Sequence, residues 1–196
     1  MSQVLNLFPV PVYKGHIDPP EGLMEALDER FAKCKRGRWA SESGLSTGQF
    51  GVFLHEEEPL IAKLIEMMQE SVVNYWDEHL GYAPAQIKPT ASWANKHTFN
   101  DFTGEHSHCS GRLGCHIASV YYLEKGEGGD IKMVDPLDYV RRLTPLHKDH
   151  GDAMISTPLD TRTGDFLLFP GWMRHRTRRA TNKRIAISIN YNGNLV

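Results

Sequence analysis

The stretch Arg184-Ile185-Ala186-Ile187-Ser188-Ile189-Asn190-Tyr191 decides how the fold is read. In an extended chain successive side chains point to opposite faces, so Ile185, Ile187, Ile189 and Tyr191 share one face and Arg184, Ala186, Ser188 and Asn190 the other. One face is apolar; the other is polar, with a guanidinium at its head. On a surface strand the polar face meets water. On a barrel or sandwich strand covered by helices it turns inward, toward a cavity.

The sequence upstream supplies those helices. Met24, Leu27, Phe31 and Cys34 recur at helical spacing over residues 21 to 34. A longer helix is predicted over residues 59 to 80, with Leu60, Leu64, Met67, Met68, Val72, Tyr75 and Trp76 forming an apolar stripe and Gly81 as its stop. From Gln86 onward β-branched and aromatic residues alternate with turn signals, predicting strands near 87–95, 115–123, 130–134, 154–157, 165–169 and 184–191. Gly126, Gly128 and Gly129, Asp135-Pro136 and Pro170-Gly171 mark the turns. Helices first and short strands afterwards describe one α+β domain over residues 1–196, mainly β. A helical buttress over about 20–82 braces a β core over about 86–192, and the last strand's polar face is expected inside.

Bulk properties narrow the function. With 196 residues, 40% hydrophobic and 23% charged, the chain can bury a core without staples. Cys34, Cys109 and Cys115 cannot all pair within one chain and form no Cys-x-x-Cys motif, so they are read as reduced thiols of a cytoplasm, a host's if the protein is virally encoded. The N-terminus MSQVLNLFPVPVYKG has no basic n-region, and no run approaches the ~20 apolar residues that span a bilayer, so neither secretion nor membrane insertion is expected. A net charge of −2 excludes global attraction to nucleic acid. Arg174, Arg176, Arg178, Arg179, Lys183 and Arg184 nevertheless crowd into eleven residues. They form either a solvated strand and turn or a contact for an anionic partner.

Two imidazoles stand at i and i+2 in Gly104-Glu105-His106-Ser107-His108, on one face of an extended chain and roughly 7 Å apart at Cα. Both can then reach one metal at ~2.1 Å from the same side. Ten histidines in 196 residues make a chance His-x-His easy, so the pair alone is weak. The rest of the constellation strengthens it. His175 follows Phe169-Pro170-Gly171-Trp172 and precedes Arg184 by nine residues, with a turn predicted at Ala180-Thr181-Asn182-Lys183, so that a hairpin would bring the two together.

These residues resemble the 2-oxoglutarate- and iron(II)-dependent oxygenases, in particular the prolyl-hydroxylase-like branch and its small bacterial and phage members. That family's pattern is His-x-Asp, a strand with paired tyrosines, Gly-Asp-x-x-x-Phe-Pro leading to a distal His, and an Arg nine or ten residues later. The matching stretches are His106-Ser107-His108, Val120-Tyr121-Tyr122-Leu123, Gly164-Asp165-Phe166-Leu167-Leu168-Phe169-Pro170, His175 and Arg184. Leu5-Asn6-Leu7-Phe8-Pro9 and Trp93-Ala94-Asn95 also look like the small members, so the likeness covers nearly the whole chain.

The resemblance implies a double-stranded β-helix (jelly roll) with Fe(II) at its open end, and 2-oxoglutarate and O2 as co-substrates. It implies His106, His108 and His175 as metal ligands and catalytic residues, with Arg184 receiving the distal carboxylate of 2-oxoglutarate. Tyr122, Asn95 and Ser188 belong on the co-substrate side. Three protein ligands on one face of a six-coordinate ion leave two positions for the keto acid and one for dioxygen. The implied reaction hydroxylates a C–H bond and releases succinate and carbon dioxide. Its substrate, whether peptidyl proline, free amino acid, nucleobase or other small molecule, is not named by the sequence.

One position departs from the pattern. His108 stands where the family has Asp, giving a three-His site unless Asp101, Glu105, Asp149 or Asp152 supplies a carboxylate; Asp130 and Asp135 sit near turns, where capping explains them. Trp93 is read as core, His116 as structural, and His147 and His150 as part of a loop over the site. Two rivals follow. A cupin-like three-His metalloenzyme would oxidise its substrate without a keto acid and has no need of a buried Arg184. A jelly-roll binding module would have lost its chemistry with the exchange at His108.

Overall fold

The computed structural model describes residues 9–37, 42–109, 114–141 and 156–195. Its spine is β9 (Arg184–Leu195), hydrogen-bonded on one side to β3 (Ala85–His97) and on the other to β4 (Ile117–Lys125), both antiparallel. β7 (Asp165–Pro170) and β1 (Tyr13–His16) extend the sheet beyond β4, and β2 (Leu45–Ser46) beyond β3, in the order β1-β7-β4-β9-β3-β2. A second sheet is built from β5 (Ile131–Val134), with β6 (Ser156–Pro158) and β8 (His175–Thr177) on its two sides.

The alternation in β9 sorts two cores. Ile185, Ile187, Ile189 and Tyr191 are fully buried beneath α1 (Leu23–Phe31) and α3 (Pro59–Asn74), against Leu23, Leu27, Ile61, Leu64, Met68 and Val72. Ala186, on the opposite face, belongs to a second core with Tyr122, Leu167, Phe169, Ile131 and Met133, which fills the space between the two sheets. The polar face of β9 therefore points inward, because the helices have claimed the other one. Two facing antiparallel sheets with helices outside the larger one form the expected jelly roll.

α3 starts where its sequence says it should. Pro59 occupies the first turn, where its missing N–H is harmless, and the Glu58 carboxylate accepts from the Leu60 amide. The predicted helical stripe continues past Asn74 as a π-helical turn, Tyr75–His79, and ends before Gly81, whose φ of 64° is the left-handed value of a helix stop. The widened turn seats Trp76 over β9. A Cβ on Gly193 would lie 2.3 Å from the Trp76 ring, so that position must be glycine.

Several elements differ from expectation. β1, β2 and the short α2 (Leu54–Glu57) have no counterpart among the predicted elements, and β8 is expected only as the first arm of a hairpin with β9. β1 carries Gly15 in mid-strand, which reads as a breaker but is a close-approach site, since a Cβ there would meet the Phe166 ring at 2.3 Å. Cys34 lies beyond the end of α1, and the strand predicted over 154–157 is described only from Ser156. The hairpin expected between His175 and Arg184 does not form. β8 pairs with β5 in the small sheet and β9 with β3 and β4 in the large one, so the intervening residues cross from sheet to sheet. His175 and Arg184 reach the same interior space from facing sheets.

Candidate active site

His106 and His108 lie on a segment that joins the small sheet by a bridge to β8. The His106 amide donates to the His175 carbonyl at 3.0 Å, and the His175 amide returns the bond at 2.9 Å. The His108 amide donates to the Gly171 carbonyl at 2.8 Å. This pairing puts three rings together: centroids are 5.2 Å apart for His106 and His108, 4.4 Å for His106 and His175, and 5.1 Å for His108 and His175. One ring nitrogen from each lies within 4.8 Å of the other two, and among the described residues this donor group contains no carboxylate.

Hydrogen bonds fix which nitrogens converge. Nδ1 of His106 faces the Gly104 carbonyl at 2.9 Å, Nδ1 of His175 the Met173 carbonyl at 3.0 Å, and Nδ1 of His108 the Asn190 Oδ1 at 2.5 Å. Each partner is an acceptor, so each Nδ1 carries the hydrogen and each Nε2 of a neutral ring keeps its lone pair. Burial, together with the neighbouring His106, pushes His108 down to about 4, against the opposing Asn190 hydrogen bond. Burial and the other two rings push His175 down to about 3. Neutral imidazoles are what a metal requires of its ligands. His108 Nε2 is buried without a hydrogen-bond partner, so the donor set fits a divalent metal.

Arg184, at the start of β9, is only 3% exposed. Its guanidinium lies 5.2 Å over the Tyr122 ring, its Nη1 is 3.5 Å from His97 Nδ1, and its Nε has no partner. A Cβ on Gly129 would approach Arg184 Cδ at 2.8 Å, so the glycine makes room for the side chain. Burial and the Arg184 charge hold His97 neutral, down to about 3. Among the described residues no carboxylate pairs with Arg184. A buried cation without a counter-ion is costly, and a carboxylate ligand offsets that cost. The site thus fits a keto diacid as well as a metal.

His106, His108, His175, Asn95, Ser188 and Arg184 all border one partly open cavity of about 30 Å3 between the sheets. Trp93, read as core, borders it too and stacks near His108, with ring centroids 5.7 Å apart. Tyr122 is not on that wall; it is fully buried beneath Arg184. A larger groove of about 420 Å3 lies between α1 and α2, lined by Arg30, Lys33, Phe50 and Glu57, and gathers no comparable ligand set.

The other candidates fall away from the centre. Asp101 is held by Thr98 and Arg36, which together lower its pKa against the opposing effect of burial, and Glu105 pairs with Arg174 and Arg176. Asp135 caps the Leu137 amide, and Asp130 pairs with Lys125 and Arg178. His116 packs edge-on against Trp76 and accepts from the Gly193 amide. Asp149, Asp152, His147 and His150 lie outside the described residues. Arg184 apart, members of the basic cluster meet partners from other segments: Arg174 meets Glu105 and Asp138, Arg179 stacks on Phe102 at 4.5 Å, and Lys183 meets Glu124 at 2.7 Å. Asn190 reaches His108 from β9, a contact that no sequence motif marks. Its place on the polar face of the last strand was the available signal.

Residues 91–192, more than half of the chain, match the family model described as "Putative 2OG-Fe(II) oxygenase". The chain belongs to this family. As a 2-oxoglutarate-dependent non-haem iron oxygenase it uses Fe(II), 2-oxoglutarate and O2. No curated protein matches the oxygenase significantly. Among solved structures it is similar to a prolyl hydroxylase from Trichoplax adhaerens in complex with a hypoxia inducible factor peptide fragment, with TM-score 0.61, 13% identity, and coverage of 92% of this chain and 82% of that one. It is also similar to HygX from Streptomyces hygroscopicus with nickel, 2-oxoglutarate and hygromycin B bound, with TM-score 0.58, 13% identity, and coverage of 93% and 83%. The viral collagen prolyl hydroxylase of Paramecium Bursaria Chlorella virus-1 in its 2OG complex aligns with TM-score 0.55, 10% identity, and coverage of 92% and 94%. At these identities the likeness establishes the shared jelly roll. No helix among the described residues is long and apolar enough to cross a membrane.

Proposed function

We propose that His106, His108 and His175 are the iron ligands of the oxygenase and that Arg184 binds the distal carboxylate of 2-oxoglutarate, in a single-domain hydroxylase acting on a C–H bond. The observation that carries this is the pairing of a three-imidazole donor set with a buried guanidinium that has no carboxylate partner among the described residues, both lining one cavity. Iron(II) held there supplies the oxidative decarboxylation of the keto acid that is coupled to hydroxylation of the substrate.

The chain's own residues have simpler tasks. The Nδ1 hydrogen bonds aim the imidazoles; Arg184 offers a planar fork that a lysine cannot match. His97, kept neutral, adds no second charge beside it. Asn95 and Ser188 bring polar side chains from β3 and β9, and Tyr122 supports the guanidinium from below. Phe169 and Ile131 give the space they share an apolar wall. The free thiols Cys34, Cys109 and Cys115 suit a reducing cytoplasm as the place of action. The substrate proposed belongs to one of three classes: a peptidyl residue, a nucleobase or another small molecule.

Anaerobic addition of Fe(II) and then 2-oxoglutarate should produce a visible metal-to-ligand charge-transfer band, and admitting oxygen should yield succinate. The band should vanish in His175→Ala. A wild-type protein that binds iron but forms no band with 2-oxoglutarate would overturn the reading in favour of a keto-acid-independent enzyme.

A further inference from the structure

The three imidazoles are not oriented in the same way. His106 and His175 each bond a backbone carbonyl two residues upstream, Gly104 and Met173, an anchor that persists whatever side chains surround it. His108 instead bonds a side chain 82 positions away in sequence: its Nδ1 lies 2.5 Å from Oδ1 of Asn190 on β9. Asn190 is 8% exposed, and its cross-strand neighbours are Ala91 on β3 and Ala118 on β4, whose methyl groups offer no competing hydrogen bond. At the far side of the His108 ring, Nε2 is buried and unpartnered.

We propose that Asn190 is a positioning residue that holds His108 in its Nδ1–H tautomer and aims the Nε2 lone pair at the metal; this rests on the ligand assignment above. The amide presents its oxygen to the ring, and in this orientation it can only accept, so it selects the ring form whose Nδ1 donates. The opposite tautomer would set two lone pairs against each other at Nδ1 unless the amide turned over, and would turn an N–H toward the ion. A carboxylate ligand needs no such selection, because either oxygen can bind metal without a tautomer. A histidine in that position does need it, and β9 provides it. The same strand then serves both halves of the site, with Arg184 at one end of its polar face and Asn190 six residues later.

The test compares Asn190→Leu, which keeps the size and removes the acceptor, with Asn190→Asp, which keeps the acceptor. Anaerobic Fe(II) titration against a competing chelator should show Asn190→Leu weakened about 10- to 100-fold, the usual effect of losing a ligand's hydrogen-bond partner, and Asn190→Asp equal to or tighter than wild type. Combining Asn190→Leu with His108→Ala should add little to the loss of His108→Ala alone. Nitrogen-15 NMR of the metal-free wild type should find His108 protonated at Nδ1, a readout independent of iron and of whether the leucine variant folds. Equal iron affinity in Asn190→Leu, equal weakening in the leucine and aspartate variants, or a His108 protonated at Nε2 would each overturn the proposal. If Asn190→Leu binds normally while His108→Ala does not, the ligand assignment stands and only the positioning role falls. If His108→Ala also binds normally, both fall.

Discussion

Arg184 and His97 form a pair in which one side chain bears a permanent charge and the other is prevented from acquiring one. Arg184→Lys keeps the charge and loses the fork, so the KM for 2-oxoglutarate in succinate formation should rise about 10- to 100-fold, the worth of a charge-assisted hydrogen bond. An unchanged KM would remove Arg184 from the co-substrate site. His97 has its folded pKa lowered to about 3 from 6.5. Between those values the unfolded chain binds a proton that the folded protein refuses. The stability this gives is therefore complete above pH 6.5 and is lost as the pH falls, by at most about 1.4 kcal/mol per pH unit. Denaturant titrations of the metal-free protein between pH 7 and 5 should show this decline, with His108 and His175 contributing in the same direction, and His97→Gln should flatten it by about one proton. The residues of the candidate site were largely legible in the sequence, because His-x-His, a distal His and a strand-borne Arg each follow a spacing. Asn190 and His97 follow no such spacing. Their partners arrive from other strands, and one sequence carries no record of which side chains face each other across a sheet.

At the scale of elements, the periodic segments were the legible ones. α3 and β9 declare themselves because α3 buries one face and β9 buries two of unlike polarity, and either arrangement imposes its period on the sequence. The shortest strands declare little: β1 and β2 span four and two residues, too few for a period to show, and β8, with three, signals a strand before a turn but not its partner; all are fixed by pairing with distant segments. The hairpin expected between His175 and Arg184 failed for the same reason, since a turn signal does not say whether the chain returns to the same sheet. Two substitutions test how these elements are held. Met68→Ala, beneath the large sheet, should destabilise by about 2–5 kcal/mol while leaving the iron affinity of the folded protein unchanged. Gly193→Ala drives a methyl into Trp76 and should destabilise by about 1–3 kcal/mol, read as a lower denaturation midpoint. Should Gly193→Ala melt like wild type, the π-helical turn is not held by that contact.

For the whole molecule, the site acts as a clasp between parts that meet nowhere near each other in sequence. The His106 segment and β8 supply the imidazoles from the small sheet, while β9 of the large sheet supplies Asn190 and Arg184. A ligand that needs both sheets in place binds the folded chain and not the unfolded one. It therefore stabilises by about 2.7 kcal/mol when its free concentration is a hundred times its Kd. In a chain of this size that corresponds to a rise in Tm of roughly 5–10 °C. Order of addition distinguishes the two halves of the clasp. Fe(II) alone, without oxygen, should raise the Tm of wild type and leave that of His175→Ala near its own baseline. 2-Oxoglutarate added after the metal should raise wild type further, and Arg184→Lys by less. Added without metal it should do little, because one guanidinium holds only one end of the diacid. An equal rise from 2-oxoglutarate with and without iron would mean that the keto acid is held by Arg184 and its neighbours alone, and that the imidazoles and the guanidinium do not share one ligand.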